Sequence, residues 1–349
     1  MLGRVGGQIM IEVYDSLERM GTLEPLWRGL ETNPAMRGFQ TYAWNHAAAE
    51  SCAARGRLAI LRWYSPATDD QVIFPGWIDG KGNLRFLGDD VGDVGGCVFG
   101  RSSVNRIHAY REFAEWVEQR RNIRRVWLQK LDAEGEPLRY FSTVFHGAMV
   151  FKDHLRGQLT SFRTEDFIGG QTHLRPKERS RLRGIVHRSK GMRLQILKDP
   201  NRALADLRNV ADFMIEQGWR SARWFDGRIL GLAEAMMAAG WMEAAELVND
   251  DGVQVIGLRI VKDGQSDAWI CGYREKDLLS SLYVRYMEEK VKTGDWRFDF
   301  GVGAYNYKWQ SFRPEPRVSF TLRYSKSRLG KLWDFVRMNV RVGRNMVGR

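Results

Sequence analysis

The groups best suited to chemistry crowd into one stretch, Trp296 to Phe312, which reads WRFDFGVGAYNYKWQSF. Phe298-Asp299-Phe300 sets a carboxylate between two aromatics in strand alternation, so Asp299 points to the face opposite both rings. Gly301 and Gly303 allow a tight turn and a close approach of backbone to ligand. Tyr305, Tyr307 and Lys308 follow at the start of a short helical segment. An acid, a turn, two phenols and an amine within roughly ten residues is how the end of a strand carrying a site is furnished. Asp299 has two readings: a brace for the turn at Gly301, or a carboxylate that orients or deprotonates an incoming amine or hydroxyl. Lys308 reads as a structural partner of Asp299 or as a contact for an anionic group. Packing is the plainer reading of Tyr305 and Tyr307.

Three further clusters carry polar chemistry. From His173 to Arg193 the chain holds Arg175, Lys177, Arg179, Arg181, Arg183, Arg188, Lys190 and Arg193, with Glu178 as the sole acid. This is either a solvated basic face or a clamp, through Lys177, Arg179 and Arg183, for phosphates of a nucleotide-activated sugar or lipid-linked glycan. Nucleic acid is a third reading, but the run lacks interleaved aromatics and any nucleic-acid motif. Asp89, Asp90 and Asp93 follow a strand and lack the later glycine and glutamate of a calcium loop. They read as a loop bound to the first domain, or, through Asp89 and Asp93, as one facing a sugar hydroxyl. In Gly38-Phe39-Gln40-Thr41-Tyr42 the aromatics read as packing, and Gln40 is the candidate ligand contact.

Composition narrows the partners. The 349 residues carry a net charge of +12, which favours an anionic partner: a nucleotide-bearing cofactor, a phosphorylated sugar, a membrane surface or nucleic acid. At 44% hydrophobic and 12% aromatic, the chain can fill two cores and is not disordered. Cys52, Cys97 and Cys271 are widely spaced and the six histidines form no HxxxH pair, so neither a metal site nor a disulfide framework is expected. With no signal-like start and no run of about 18 apolar residues, the expected location is cytoplasmic.

Periodicity predicts the elements that position these groups. The first half reads as a strand Ile9–Tyr14, a helix Ser16–Leu30, a helix Tyr42–Arg55 capped by Thr41, strands Leu58–Tyr64, Val72–Ile78 and Leu84–Gly88, a helix Ile107–Arg120 and a strand Arg125–Leu131. Ser142 to Gly157 reads as strand or connection. The second half reads as a basic helix Arg175–His187, a strand Met192–Leu197 and helices Asn201–Gln217 and Arg228–Gly240. An antiparallel meander of Glu243–Val248, Val253–Lys262 and Gln265–Tyr273 follows, turning at Lys262-Asp263-Gly264. Helix Asp277–Thr293, strand Arg297–Phe300, a short helix Tyr305–Phe312 and strand Val318–Tyr324 complete it. The halves share an element order without a sequence repeat.

The segment FDFGVGAYNYKWQSF resembles the FDFGxGxxxYK segment of the CelD/BcsL-like, or BioF2-like, GNAT acetyltransferases. Gly38 to Trp44 resembles that family's PFQSxxW element, Leu84 to Asp90 with Asp93 its LRFLG…D segment, and Lys177 to Arg183 its KxRxxLRR helix. The matches keep the family's order from about residue 30 to 325. The resemblance implies an α/β (α+β) chain of two tandem GNAT-like domains related to Fem-type transferases, each a mixed, mostly antiparallel sheet flanked by helices. The expected divisions are 1–160, 161–325 and a basic tail, 326–349. It further implies acyl transfer from acetyl-CoA or another acyl-CoA, used as co-substrate and not tightly bound, to an amine or hydroxyl on a sugar or exopolysaccharide precursor. Asp299 would handle the acceptor, and Tyr305 or Tyr307 would protonate the leaving thiolate. Backbone around Trp269, Cys271 and Gly272 would polarise the thioester.

One stretch departs from the pattern. Gly272-Tyr273-Arg274-Glu275-Lys276-Asp277-Leu278-Leu279 lacks the glycine pair of a pyrophosphate loop, and Glu275 and Asp277 repel phosphate while Arg274 and Lys276 compensate. Two alternatives follow: a Fem-like transferase using aminoacyl-tRNA, or a degenerate scaffold in a glycan-synthesis complex. The tail sets Leu329, Leu332, Trp333, Val336 and Val340 at helical spacing among Lys326, Arg328, Lys331, Arg337, Arg341 and Arg344. It reads as a docked helix or as a basic amphipathic helix lying on an anionic membrane.

Overall fold

The structure, a computed structural model, describes residues 10–100, 106–160, 174–221, 224–303, 306–327 and 330–331. In the first half β1 (Met10–Tyr14) leads through α1 (Leu17–Gly21), α2 (Glu24–Leu30), a 3-10 turn (Gly38–Gln40) and α3 (Tyr42–Ala53) to β2 (Gly56–Ser65) and β3 (Asp70–Asp79). Next come β4 (Asn83–Phe86), β5 (Val98–Phe99), α4 (Ile107–Gln119), β6 (Arg125–Asp132), α5 (Glu136–Val144) and β7 (Met149–Thr160). After α6 (Pro176–Arg188), the second half opens with β8 (Arg193–Leu197), α7 (Pro200–Glu216), α8 (Gly227–Ala238) and β9 (Met242–Asn249). It closes with β10 (Gly252–Lys262), β11 (Gln265–Tyr273), α9 (Leu278–Val291), β12 (Arg297–Val302), α10 (Asn306–Ser311) and β13 (Glu315–Ser325).

All strands join one sheet in the order β1-β2-β3-β4-β6-β13-β7-β12-β11-β10-β9-β8, with β5 beside β3. Read from either end, this order matches the two halves element for element. β1 corresponds to β8, the β2–β3 hairpin to β9–β10, and β4 to β11. β6 then corresponds to β12, and α4 to α9. Pairing is antiparallel except at β4–β6 and β11–β12, the same joint in each half, and at the isolated Gly95–Leu131 bridge. The closing strands are exchanged: β7 pairs with β12 of the second half, and β13 lies between β6 and β7. The architecture is therefore two similar α/β units in one mixed, mostly antiparallel sheet flanked by helices.

Three cores cover the sheet. Helices α1–α3 and α7–α8 share one core, in which Trp27, Trp44, Leu207 and Met236 pack on Leu58, Ile60, Ile256 and Leu258, and this core spans both units. On the opposite face of the first unit, α4 and α5 bring Tyr110, Phe113 and Phe141 onto Leu61, Phe74 and Leu128. The corresponding face of the second unit is covered by α6 and α9, whose Leu182, Leu282 and Tyr286 pack on Leu247, Val255, Phe298 and Phe300.

Two expectations differ locally. The helix expected over Ser16–Leu30 is two, because Gly21-Thr22 ends the first and Pro25 sits in the first turn of the second, where its missing N–H costs nothing. Helix α5 was not anticipated: the strand or connection expected over Ser142–Gly157 overlaps only its last residues and otherwise falls on the link to β7 and on β7 itself. Pro137 at its start and the buried Leu138 and Phe141 one turn apart make it helical.

Candidate functional site

The site forms where β11 and β12 part. They pair in parallel only at Gln265–Arg297, Ser266–Phe298 and Asp267–Asp299. Beyond that, β11 stays with β10 while β12 follows β7, with Val302 opposite Arg156. On the β10 side Leu258 faces Ile270 and Arg259 faces Ala268, which leaves Trp269 as an extra residue in β11. Such a bulge bends and twists its strand, here away from β12. The opening holds a cavity of about 290 Å³, walled by Trp269, Ile270 and Cys271 on one arm and Phe300, Gly301 and Val302 on the other. Arg259, Arg220, Asp93 and Lys308 also line it.

Gly301 is required at this junction. Its φ is +71°, and a Cβ there would stand 2.5 Å from the Ala268 carbonyl oxygen and 2.7 Å from Oδ2 of Asp93. The turn is braced by Asp299, whose Oδ1 accepts the Gly301 N–H at 2.9 Å.

Asp299 is 1% exposed and does not line the cavity. Its Oδ2 accepts from Nη2 of Arg37 and Nη1 of Arg156, each at 2.9 Å. Arg37 also pairs with Asp267, and Arg156 with Asp132 at 2.7 Å. This buried network ties the 3-10 turn, β6, β7, β11 and β12 together at the joint between the units. Burial pushes the Asp299 carboxyl up, but the Arg37 and Arg156 charges outweigh it and hold the group below the usual carboxylate range. It is a firmly ionised, fully engaged carboxylate.

Asp93 is the acid that faces the cavity. It comes from the first unit, on the segment after β4, and its Oδ2 accepts the Val302 N–H at 2.9 Å. Burial raises its pKa to about 6, with the nearby Asp299 charge adding to the rise and Lys130, the Val302 N–H and Lys308 opposing it. Three contacts fix the segment. Lys130, in left-handed conformation with φ +58°, donates from Nζ to the carbonyl oxygens of Asp89 and Gly92. Gly95 bridges to Leu131 of β6. Trp269 donates its indole N–H to the Val91 carbonyl at 2.8 Å and packs edge-on against Trp44.

Lys308 is 2% exposed, and its Nζ donates to the carbonyl oxygens of Gly301 and Val302, both at 3.3 Å. Burial lowers its pKa. Half-buried Cys271 also lines the cavity, its thiol pushed up by burial. The structure thus gathers Asp93, Lys308, Trp269 and Cys271 around one cavity.

The remaining candidates lie elsewhere. Gly272 packs against Val210 of α7. Arg274 donates to Val253 and Asn209 and stacks on Phe213, while Lys276 lies over Trp219, so neither lines the cavity. Gln40 is buried, accepts the Arg37 N–H and donates to the Cys97 carbonyl. It reaches a second cavity of about 410 Å³ beside Arg37, Gln158, Arg297 and Arg317. Asp89 is paired with Arg85 at 3.0 Å, with burial raising its pKa to about 6. Lys177 and Arg183 are exposed on α6, and Arg179 donates to the Leu174 carbonyl. Tyr305, the side chain of Tyr307, and the tail beyond Lys331 fall outside the described residues.

Several site residues escaped sequence reasoning. Arg37, Arg156 and Lys130 are ordinary surface types whose partners are distant in sequence. Arg259 carried a usable signal: it is the one charge within the apolar run Val255–Val261. Among the described residues, no cluster of His, Cys, Asp or Glu is placed to hold a metal ion, and no helix is long and apolar enough to cross a membrane.

No protein-family model and no curated protein matches the chain. Solved structures do match. A conserved protein of unknown function from Bacteroides thetaiotaomicron VPI-5482 superimposes with a TM-score of 0.60 at 10% identity, over 91% of this chain and 100% of that one. The C-terminal domain (DUF2156) of a protein assigned as a lysylphosphatidylglycerol synthetase from Agrobacterium fabrum gives 0.58 at 11% identity, over 93% and 97%. FemX gives 0.51 at 9% identity, over 90% and 97%. The chain shares the fold of these structures. At these identities the likeness is one of architecture.

Proposed function

We propose that the protein is an acyltransferase of the CelD/BcsL-like (BioF2-like) branch of the GNAT fold. It moves an acetyl or similar acyl group from acyl-CoA to an amine or hydroxyl on a sugar or glycan precursor. The observation that carries this reading is the parting of β11 and β12 at the Trp269 bulge, with a carboxylate and an amine facing the same small cavity. The thioester carbonyl lies against the β11 edge from Trp269 to Gly272, where strand N–H groups polarise it. Asp93 takes the proton from the attacking amine or hydroxyl as the new C–N or C–O bond forms. The C–S bond breaks, and the thiolate is protonated by Tyr305 or Tyr307, the role the family resemblance gives one of them. Asp299 is a positioning residue: it sets the Gly301 turn and the network beneath it. Lys308 holds the β12 arm and places positive charge toward the developing oxyanion. The basic residues of the tail, Arg337, Arg341 and Arg344 among them, would draw the protein to an anionic membrane surface.

A second reading has its own support. Arg274 and Lys276, the cations expected to receive a CoA pyrophosphate, are occupied by Asn209, Phe213 and Trp219. The fold is shared with FemX and with a domain assigned to lysylphosphatidylglycerol synthesis. The donor in that reading is an aminoacyl ester of tRNA, and the same cavity performs the transfer. Titration with CoA and acetyl-CoA, followed by transfer assays with labelled acetyl-CoA and with charged tRNA, separates the two. Micromolar CoA binding with RNase-insensitive transfer supports the first. RNase-sensitive transfer without CoA binding replaces it with the second, and transfer from neither donor refutes both.

A further inference from the structure

We infer that the cavity recognises a small anionic group, a carboxylate or phosphate, carried close to the reacting centre of its substrate and seated on Arg259. This deepens the transferase reading and rests on it for the words "reacting centre"; the anion seat itself rests on geometry alone.

Arg259 is 2% exposed and lines the cavity from β10, opposite Ala268 and next to the bulge. Its guanidinium lies over the rings of Tyr283 and Tyr286, with centroid distances of 4.3 and 4.7 Å. Its Nη2 is buried without a hydrogen-bond partner. No carboxylate among the described residues pairs with it. Glu243, opposite Arg259 in the β9–β10 pairing, is already bound by the Tyr286 phenol at 2.7 Å and by Lys290 at 2.6 Å. Asp267 is taken by Arg37.

A guanidinium keeps its charge under all ordinary conditions, and burying it without a counter-ion is costly. Two aromatic faces recover part of that cost and orient the planar fork, but they do not satisfy its N–H groups. A chain that maintains such a group at a cavity wall leaves the missing acceptor to a ligand. The remaining charges agree. Arg220, stacked on Trp224 and with an unpartnered Nε, and Lys308 are further cations on the lining, while Asp93 is the sole acid there among the described residues. The fork geometry favours a planar or tetrahedral oxyanion over a neutral hydroxyl. Because Arg259 pairs with the residue next to the bulge, the anion sits a few bonds from the carbonyl held there. A remote phosphate of a carrier would lie elsewhere.

The test is anion binding by the full chain, read by calorimetry at constant ionic strength, with sodium succinate and inorganic phosphate as the probes. Saturable binding of at least one is expected. It should weaken at least tenfold in Arg259→Gln and stay unchanged in Arg19→Gln, an exposed arginine of α1. Preference for succinate assigns a carboxylate, preference for phosphate a phosphate. Arg220→Gln, on the more exposed rim, serves if the first variant fails to fold, and it should weaken binding to a smaller degree. No saturable binding to the wild type, or equal binding in the arginine variants of the cavity, overturns the inference. Anion binding that depends on Arg259 without acyl transfer would count against the proposed reaction alone. Acyl transfer without such binding would count against the anion seat alone.

Discussion

Asp93→Asn offers the sharpest test because its effects on activity and stability have opposite signs. The folded state raises the Asp93 carboxyl from an ordinary 3.8 to about 6. Below the unfolded value the group is protonated in both states and costs nothing. Between the two values the unfolded chain ionises first, so stability falls as pH rises. Above about 6 the full cost is present. A shift of about two pH units is worth at most about 3 kcal/mol, and partial exposure of the side chain brings the figure lower. Asparagine keeps an oxygen for the Val302 N–H but never ionises. The variant should therefore match the wild type near pH 4 and gain on it through pH 6, reaching a plateau of about 1–3 kcal/mol at pH 7–8. Urea melts of both proteins across that range measure the gap. Asp89, which also titrates near 6, is common to both and cancels. Turnover should move the other way, falling about 10²–10⁴-fold with loss of the general base. In the wild type the rate should rise through an apparent pKa near 6, set by burial of the carboxylate, with the Asp299 charge adding to the rise and Lys130 and Lys308 opposing it. A stability gap that does not change with pH, or a variant with wild-type turnover, refutes the assignment.

Asp299→Asn should lose about 3–5 kcal/mol, because it leaves Arg37 and Arg156 buried with an incomplete partner. The wild type's advantage exists above the unfolded carboxyl value and disappears only in strong acid, since the folded pKa is lowered; thermal melts down to pH 3 follow it. Gly301→Ala should cost at least the roughly 1–2 kcal/mol of a left-handed alanine and also displace Asp93, so a melt and a rate both at wild-type values would contradict the crowding at that turn. Trp269→Phe removes the 2.8 Å tie to Val91. As the Asp93 segment loosens and hydrates, the acidic limb of the rate profile should move below 6, and an unmoved limb would exclude that coupling.

What was legible in the sequence was local. The Lys262-Asp263-Gly264 turn follows from residue types that tolerate positive φ, and both Asp263 and Gly264 adopt it. Alternation in Phe298-Asp299-Phe300 placed two rings in the α9 core and the carboxylate on the other face, where it lies. The glycine after it was legible as a turn. What Asp299 meets there was not, because Arg37 and Arg156 lie far away in sequence and nothing local marks them. The same holds for Asp93, which reads as one of three acids in a loop and acquires its role only by crossing from one unit to the other. Arg259 marks the limit from the other side: a charge inside an apolar strand was visible, but its lack of a partner depends on α9 and β11 closing around it.

The near-symmetry of the sheet also explains why one unit carries the site. Each unit has a parallel joint, β4–β6 or β11–β12, at which strands can part. In the first unit the segment after β4 fills its own joint: Gly95 bridges to Leu131, and a Cβ at Gly95 would meet the Gln129 carbonyl at 2.3 Å. That same segment projects Asp93 across to the open joint of the second unit. One joint is thus spent to furnish the other. The exchange of β7 and β13 makes this arrangement rigid, since each unit's sheet is completed by the other's closing strand, and the Arg37–Asp299–Arg156 network fixes the distance between them. A carboxylate delivered from a separately folded partner would be subject to the motion of a domain interface. Here it is delivered along a continuous sheet, which is what the role proposed for Asp93, a proton acceptor within hydrogen-bond reach of a reacting group, requires.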